Sequence, residues 1–171
     1  MKNQNINKKN NSGLSLIEIL IVITIFAVLG VIVSASLILT IQGTKKSESQ
    51  IRVRENVNYS LAVIERNIRN ANAIVDCTNS DTSTVTYLDQ DGVSSSFSCV
   101  NTGSVDSYIA SGSARITSNA ISILACTFNC DQPTDLTSPP LITVEVIAKD
   151  ALATGIQGAS VSAQTKIYLR N

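Results

Sequence analysis

The sequence predicts an α+β protein: a long N-terminal helix, membrane-spanning in its first half, packed through its second half on a mostly antiparallel sheet. Three observations predict this. Residues 19–41 contain no charge and no proline. Val53, Val57, Leu61, Ile64, Ile68 and Ala71 then recur at spacings of three and four, which lays them on one helical face. From Val75 onward the composition shifts to Ser, Thr, Asn, Asp and Val in short alternating runs, the pattern of half-buried strands.

Residues 1–13 are polar, rich in Asn and Lys, and hold nothing to bury; they read as a cytoplasmic leader. Lys2, Lys8 and Lys9 are the only charges before Glu18. Residues 14–41 follow as an apolar stretch. At about 1.5 Å per residue the 19–41 run spans a hydrocarbon core of ~30 Å. Inside lipid every backbone N–H needs an internal partner, so the segment must be helical despite its Ile and Val content. Glu18 stands at its front, where a carboxylate costs about 2.5–3.5 kcal/mol on insertion scales. Lysines precede the run, but Lys45, Lys46, Arg52 and Arg54 follow it closely, so positive charge does not decide its orientation. Four cysteines beyond the run suit an exported, disulfide-bearing body.

Three readings of the N-terminal segment compete. A secretory signal peptide would be cut near Val33-Ser34-Ala35, though the apolar run is long for one. A plain signal anchor leaves Glu18 incidental. The third takes glycine and carboxylate together. Gly13-Leu14-Ser15-Leu16-Ile17-Glu18 resembles the class III signal of type IV pilins and pseudopilins: a basic leader ending in Gly, an apolar residue, Ser or Thr, Leu, Ile or Val, Glu, then an unbroken hydrophobic helix. The resemblance implies cleavage between Gly13 and Leu14 by a prepilin peptidase, N-methylation of Leu14, and retention of the helix in the mature chain. It implies a pilin-like fold, contacts with other pilin subunits through residues 14–41, and assembly driven indirectly by a platform protein and an ATPase. The new ammonium at Leu14 of one subunit would meet Glu18 of a neighbour. The alternative is that Glu18 reaches the headgroup level. Many major pilins carry a mid-helix proline; here that stretch has Gly30 and no proline, so no proline kink is expected.

Residues 42–74 read as the amphipathic half of the same helix, running from Ser15 to about Asn72 with a weak point at Gln42-Gly43-Thr44. Arg52, Glu55, Glu65, Arg66 and Arg69 lie mostly off the apolar stripe, which therefore faces a core. The ending from Ile64 to Ala71, with Arg66, Arg69 and Ala71 in an Arg-x-x-Arg-x-Ala spacing, resembles J-type minor pilins, subunits assigned to a tip or priming complex. The closing segment Lys166-Ile167-Tyr168-Leu169-Arg170-Asn171 resembles their last strand. Near a helix C-terminus, cations also simply complement the dipole.

Residues 75–171 form the β-rich body. Strands are expected at 84–88 and 93–99 around the turn Asp89-Gln90-Asp91-Gly92, at 115–123 continuing through 124–128, at 141–148 and at 161–169. Loops are expected at 101–113 and 129–140. Cys77, Cys99, Cys126 and Cys130 are disulfide candidates; four cysteines allow three pairings, of which 77–99 with 126–130 is the expectation. Asp89, Asp91 and Asp106 raise calcium, but no EF-hand pattern follows and turn chemistry explains the first two. No metal and no cofactor is expected.

Histidine is absent, which removes Ser-His and Cys-His catalysis and His-ligated metals. No nucleophile–base pair, phosphate-cradling loop or redox CxxC is present. With residues 1–13 removed, 10 Lys and Arg face 13 Asp and Glu, a net charge of −3 that argues against a nucleic-acid partner. The expectation is a structural subunit rather than an enzyme: a minor pilin or pseudopilin, single-pass in the cytoplasmic membrane with its body outside, then part of a filament. The rival is a membrane-anchored or secreted binding domain that never polymerises.

Overall fold

The computed structural model describes residues 15–75, 77, 80–132, 139–153, 155 and 158–170. The chain divides into two compact units, Met1–Ile41 and Gln42–Asn171. One helix, α1 (Leu16–Arg69), runs through the division and is continuous at Gly43. Among the described residues the strands are β1 (Ala73–Ile74), β2 (Asp81–Thr82), β3 (Thr84–Leu88), β4 (Ser94–Val100), β5 (Tyr108–Ser111), β6 (Ala114–Arg115), β7 (Ile121–Asp131), β8 (Leu141–Asp150) and β9 (Ser160–Tyr168). This is the expected α+β, pilin-like arrangement of a long helix on antiparallel strands.

In the first unit, every described residue of α1 is exposed. In the second unit the predicted stripe does the packing. Val53, Val57, Leu61, Ile64 and Ile68 are buried, as is Ala71 just beyond the helix. They join one core with Phe97, Ile109, Phe128, Ile142, Val144, Val146 and Ile167. Burying each such side chain stabilises the fold by about 1.5–3 kcal/mol. The helix stops at Arg69, short of Asn72. The Asn72 amide instead donates to the Leu88 carbonyl at 2.9 Å, and Ala73 enters β1 opposite Leu88. The Asn72 side chain donates to the carbonyls of Asp89 (2.9 Å) and Gln90 (3.1 Å). A helix exit and a hairpin turn thus stabilise each other.

The strands form two sheets rather than one, ordered β1-β3-β4-β5-β6 and β2-β7-β8-β9. The β3–β4 turn forms where Asp-Gly predicted it. The Asp89 carboxylate accepts from the amides of Asp91 (3.0 Å) and Val93 (2.8 Å), and Gly92 sits at φ 76°, a conformation glycine adopts without a Cβ penalty. The expected loop at 101–113 is corrected: it contains β5, paired with β4 through Cys99↔Ile109 and Val100↔Tyr108. Four residues flanked by Gly103 and Gly112 give too short an alternation to outweigh the turn signals. The expected 115–128 strand is two elements, β6 and β7, with 116–120 between them. Of the expected 129–140 loop, residues 129–131 belong to β7 and residues 133–138 lie outside the described residues.

The disulfide expectation is also corrected. Cys77 pairs with Cys130 and Cys99 with Cys126, at Cα separations of 5.1 and 5.9 Å. The cause is a bulge in β7. Register against β8 shifts between Ile123 and Ala125, and Leu124 is left facing solvent. The inward set therefore changes from Ile121 and Ile123 to Cys126, Phe128 and Cys130. Both sulfurs of β7 then point to the core, and Cys99 of β4 meets one of them from the other sheet. A chain-entropy argument gives a closure of 53 residues about 4 kcal/mol and one of 27 residues about 3.5 kcal/mol, less when nested as here.

A buried carboxylate fixes α1 to the sheet end. The Asp150 side chain is fully buried at the end of β8. It accepts from the amides of Leu152 (2.8 Å) and Ala153 (3.2 Å), from the Ser49 hydroxyl, and from Arg52 Nη1 at 3.5 Å. Ser49 Oγ in turn accepts from the Ala159 amide at 3.1 Å. Burial pushes the Asp150 carboxyl up, but the hydrogen bonds from Ser49, Leu152 and Ala153 and the Arg52 charge outweigh it and hold the group below its ordinary value.

Two measurements test these features. Trypsin should cut after Arg69, Arg115 and Lys149. Under non-reducing conditions, mass spectrometry should find peptides 70–115 and 116–149 joined; the pairing 77–99 with 126–130 would release them separately. For Asp150 the depressed folded-state pKa means stability that is present above the unfolded carboxylate value of about 3.9 and lost as pH falls below it. Urea unfolding of the chain in detergent should show Asp150→Asn less stable by about 2 kcal/mol at pH 7, with the gap closing below about pH 4.

Candidate functional site at the head of the apolar helix

Glu18 is the only ionisable residue between Leu16 and Ile41. The structure places it in the first turn of α1, two residues past the helix start. Ser15 precedes the helix, and its carbonyl accepts from the amides of Glu18 (3.0 Å) and Ile19 (3.3 Å). Ser15 is therefore the N-cap and Glu18 the third helical residue. Ser-x-x-Glu before an apolar run is the capping-box spacing, in which a carboxylate lies beside unpaired helix amides and the positive end of the dipole. That second role for Glu18 is legible in the spacing of Ser15 and Glu18, and reasoning from the cleavage signal alone passes over it. Gly13 and Leu14 lie outside the described residues.

Behind Glu18 three hydroxyls of the run bond within the helix. Thr24 donates to the Ile21 carbonyl (2.8 Å), Ser34 to Gly30 (2.8 Å) and Thr40 to Ser36 (2.9 Å). Hydroxyls that bond their own backbone add no demand on the surroundings. What remains on the surface is eighteen large apolar side chains between Leu16 and Ile41, all exposed. At the low end of about 1.5 kcal/mol each, leaving them in water costs on the order of 25 kcal/mol. The helix is long and apolar enough to cross a membrane. The site thus combines a carboxylate at a helix head with an uncovered apolar surface.

The remaining candidates are occupied otherwise. All four cysteines are in disulfides. Asp89 serves its own turn, and among the described residues no group of three or more His, Cys, Asp or Glu side chains is placed to hold a metal. Arg69 pairs with Glu65 one turn earlier on α1, and its carbonyl accepts from the Arg170 amide at 3.1 Å, tying the chain's last described residues to the helix end.

Comparison with known proteins bears on this same segment. Comparison with curated proteins gave no match, and comparison with solved structures gave none. Residues 8–34 match the family described as the prokaryotic N-terminal methylation motif. The matched stretch contains Gly13, Leu14 and Glu18 and ends inside the exposed run of α1. The chain therefore carries a type IV pilin-like prepilin signal at the head of a helix able to anchor it in a membrane.

Proposed function

We propose that this protein is a structural subunit of a type IV pilus-like or type II secretion-like filament, a minor pilin or pseudopilin rather than an enzyme. The observation that carries the proposal is the methylation motif lying directly on a fully exposed apolar helix whose continuation is stitched to a disulfide-linked body. Prepilin peptidase cuts between Gly13 and Leu14 on the cytoplasmic face, and Leu14 is N-methylated. The chain waits in the cytoplasmic membrane with its body outside, where disulfides form. A platform protein and an ATPase then drive its entry into a filament. In that filament residues 14–41 exchange lipid for the same residues of neighbours, and Glu18 meets a neighbour's Leu14 ammonium. The pairing offsets much of the cost of a carboxylate in an apolar bundle and sets axial register.

The arginine spacing of Arg66 and Arg69, and the closing strand that returns to Arg69, support the J-type minor subclass. The competing reading, an anchored domain that never polymerises, shares the helix and the body but needs neither cleavage at Gly13 nor Glu18.

The two readings separate in the intact mass of the protein recovered from its native host. The expected N-terminus is a methylated Leu14; a terminus at Ser36 or an unprocessed Met1 sinks the filament reading. For Glu18→Ala, cleavage should continue while incorporation into sheared filaments drops at least about tenfold, the equivalent of about 1.4 kcal/mol. Unchanged incorporation would exclude the ammonium pairing.

A further inference from the structure

Strand β9 is a sheet edge whose outer side is open. Its sheet runs β2-β7-β8-β9, so β9 pairs with β8 on one side alone. The Asp150 amide donates to the Ala159 carbonyl at 3.0 Å, and the antiparallel ladder beyond it runs without a slip. In such a ladder alternate residues turn both backbone groups to the partner strand. Val161, Ala163, Thr165 and Ile167 therefore face β8, while Ser160, Ser162, Gln164, Lys166 and Tyr168 turn N–H and C=O outward. Arg170 continues the outward set, and its amide reaches the Arg69 carbonyl. The five before it have no outward backbone partner among the described residues, and all five are exposed. The other sheet edges, β1, β2 and β6, are two residues long. Proteins blunt a long edge with proline, a bulge or several charges. Strand β9 runs nine residues with no proline, no bulge and one charge, Lys166.

We infer that β9 is a docking edge for a partner protein: an extended segment, alternating apolar with acidic or neutral polar residues, adds to the sheet as its next strand. The inference holds for a filament subunit and for an anchored domain alike. Main-chain hydrogen bonds supply the affinity of such an addition, and alternate side chains supply its selectivity. Charge and packing select the occupant. On the solvent face Lys149 stands opposite Ser160, and Lys166 and Arg170 are exposed beside it. Against them is one acid, Glu145, which already accepts from Gln164 Nε2. Asp150 is buried on the opposite face and paired with Arg52. An acidic side chain on the added strand therefore finds Lys166 across from it and little repulsion. On the core side Val161 and Ala163 are only half-buried where they pack on the core, and apolar residues of the added strand cover them. A second copy's β9 brings another Lys166 and no acid, so the complement lies in a different chain.

The probe is a fluorescein-labelled synthetic peptide, Thr-Val-Glu-Val-Thr-Val-Glu-Val-Thr, added to the full chain in detergent and read by anisotropy. Expected is saturable binding by the wild-type chain. Gln164→Pro should bind at least about tenfold more weakly, because its ring removes an outward N–H and crowds the edge while leaving the bonds to β8 in place. Gln164→Ala keeps that N–H and should bind within about twofold of wild type. Lys166→Glu should weaken binding by about threefold and favour the same peptide with Lys in place of Glu. The peptide methylated on every amide nitrogen should not bind, a control that needs no variant to fold. No binding by the wild-type chain, equal binding of the methylated peptide, or equal binding by a folded Gln164→Pro would overturn the docking edge. Equal binding of the Glu and Lys peptides by the wild-type chain would overturn the acidic occupant. Self-association of the wild-type chain in sedimentation, abolished by Gln164→Pro and kept by Gln164→Ala, would assign the edge to a second copy and overturn the partner.

Discussion

One helix serving two solvents is the constraint on which the rest depends. From Leu16 to Ile41 it presents apolar side chains on every side; from Ser49 onward only one stripe is apolar and a sheet covers it. The first half leaves no choice of surroundings, because water is too costly for eighteen exposed aliphatic and aromatic side chains. The second half leaves no choice of partner, because its stripe fits the core of the two sheets. The polar body is held to the amphipathic half of α1. The structure provides this at several points along the helix. Ser49 and Arg52 bind Asp150, Asn56 accepts from the Ser118 amide at 3.2 Å, and the Arg69 carbonyl holds Arg170.

The disulfides answer a related problem. A sheet of β1, β3, β4, β5 and β6 and a sheet of β2, β7, β8 and β9 share one core of modest size. Cys99–Cys126 joins β4 to β7 directly, and Cys77–Cys130 joins the segment between β1 and β2 to the same strand. Both bonds converge on β7, the strand that also pairs with β8 over ten positions. The alternative pairing, 77–99 with 126–130, would close loops within neighbouring chain and leave β4 and β7 without a covalent link. Strand β7 is thus the element through which the two sheets are made into one body.

How much of this was legible in the sequence follows from the range of each signal. The helical stripe was legible residue by residue, because a period of 3.6 is local and strong over twenty positions. The 84–88 and 94–100 hairpin was legible because Asp-Gly fixes a turn by backbone conformation. The disulfide pairing was not, since it hangs on a single bulge at Leu124 that changes which side chains of β7 point inward. A strict alternation carried through Leu124 turns Ile123 and Cys126 to opposite faces, and no composition signal marks the slip. Strand β5 was hidden for the opposite reason: Gly103 and Gly112 speak loudly for turns, while Ile109 reveals itself as core only once β4 is beside it. Ser15 and Glu18 carried two overlapping messages, a cleavage signal and a helix cap, and the more specific one masked the simpler.

That overlap bears on what Glu18 does within its own chain. A carboxylate in the third helical position already has the positive end of the dipole and unpaired amides beside it. It therefore enters the membrane partly compensated by its own chain, and its cost there lies below that of an isolated charge. In the filament proposed above, a neighbour's ammonium offsets what this compensation leaves of the cost. On that proposal Glu18 sets register, through one charge at one height on each helix, rather than supplying most of the binding energy. The bulk of that energy falls to the apolar surface behind it, which has no directional preference of its own and needs a marker to choose among equivalent alignments.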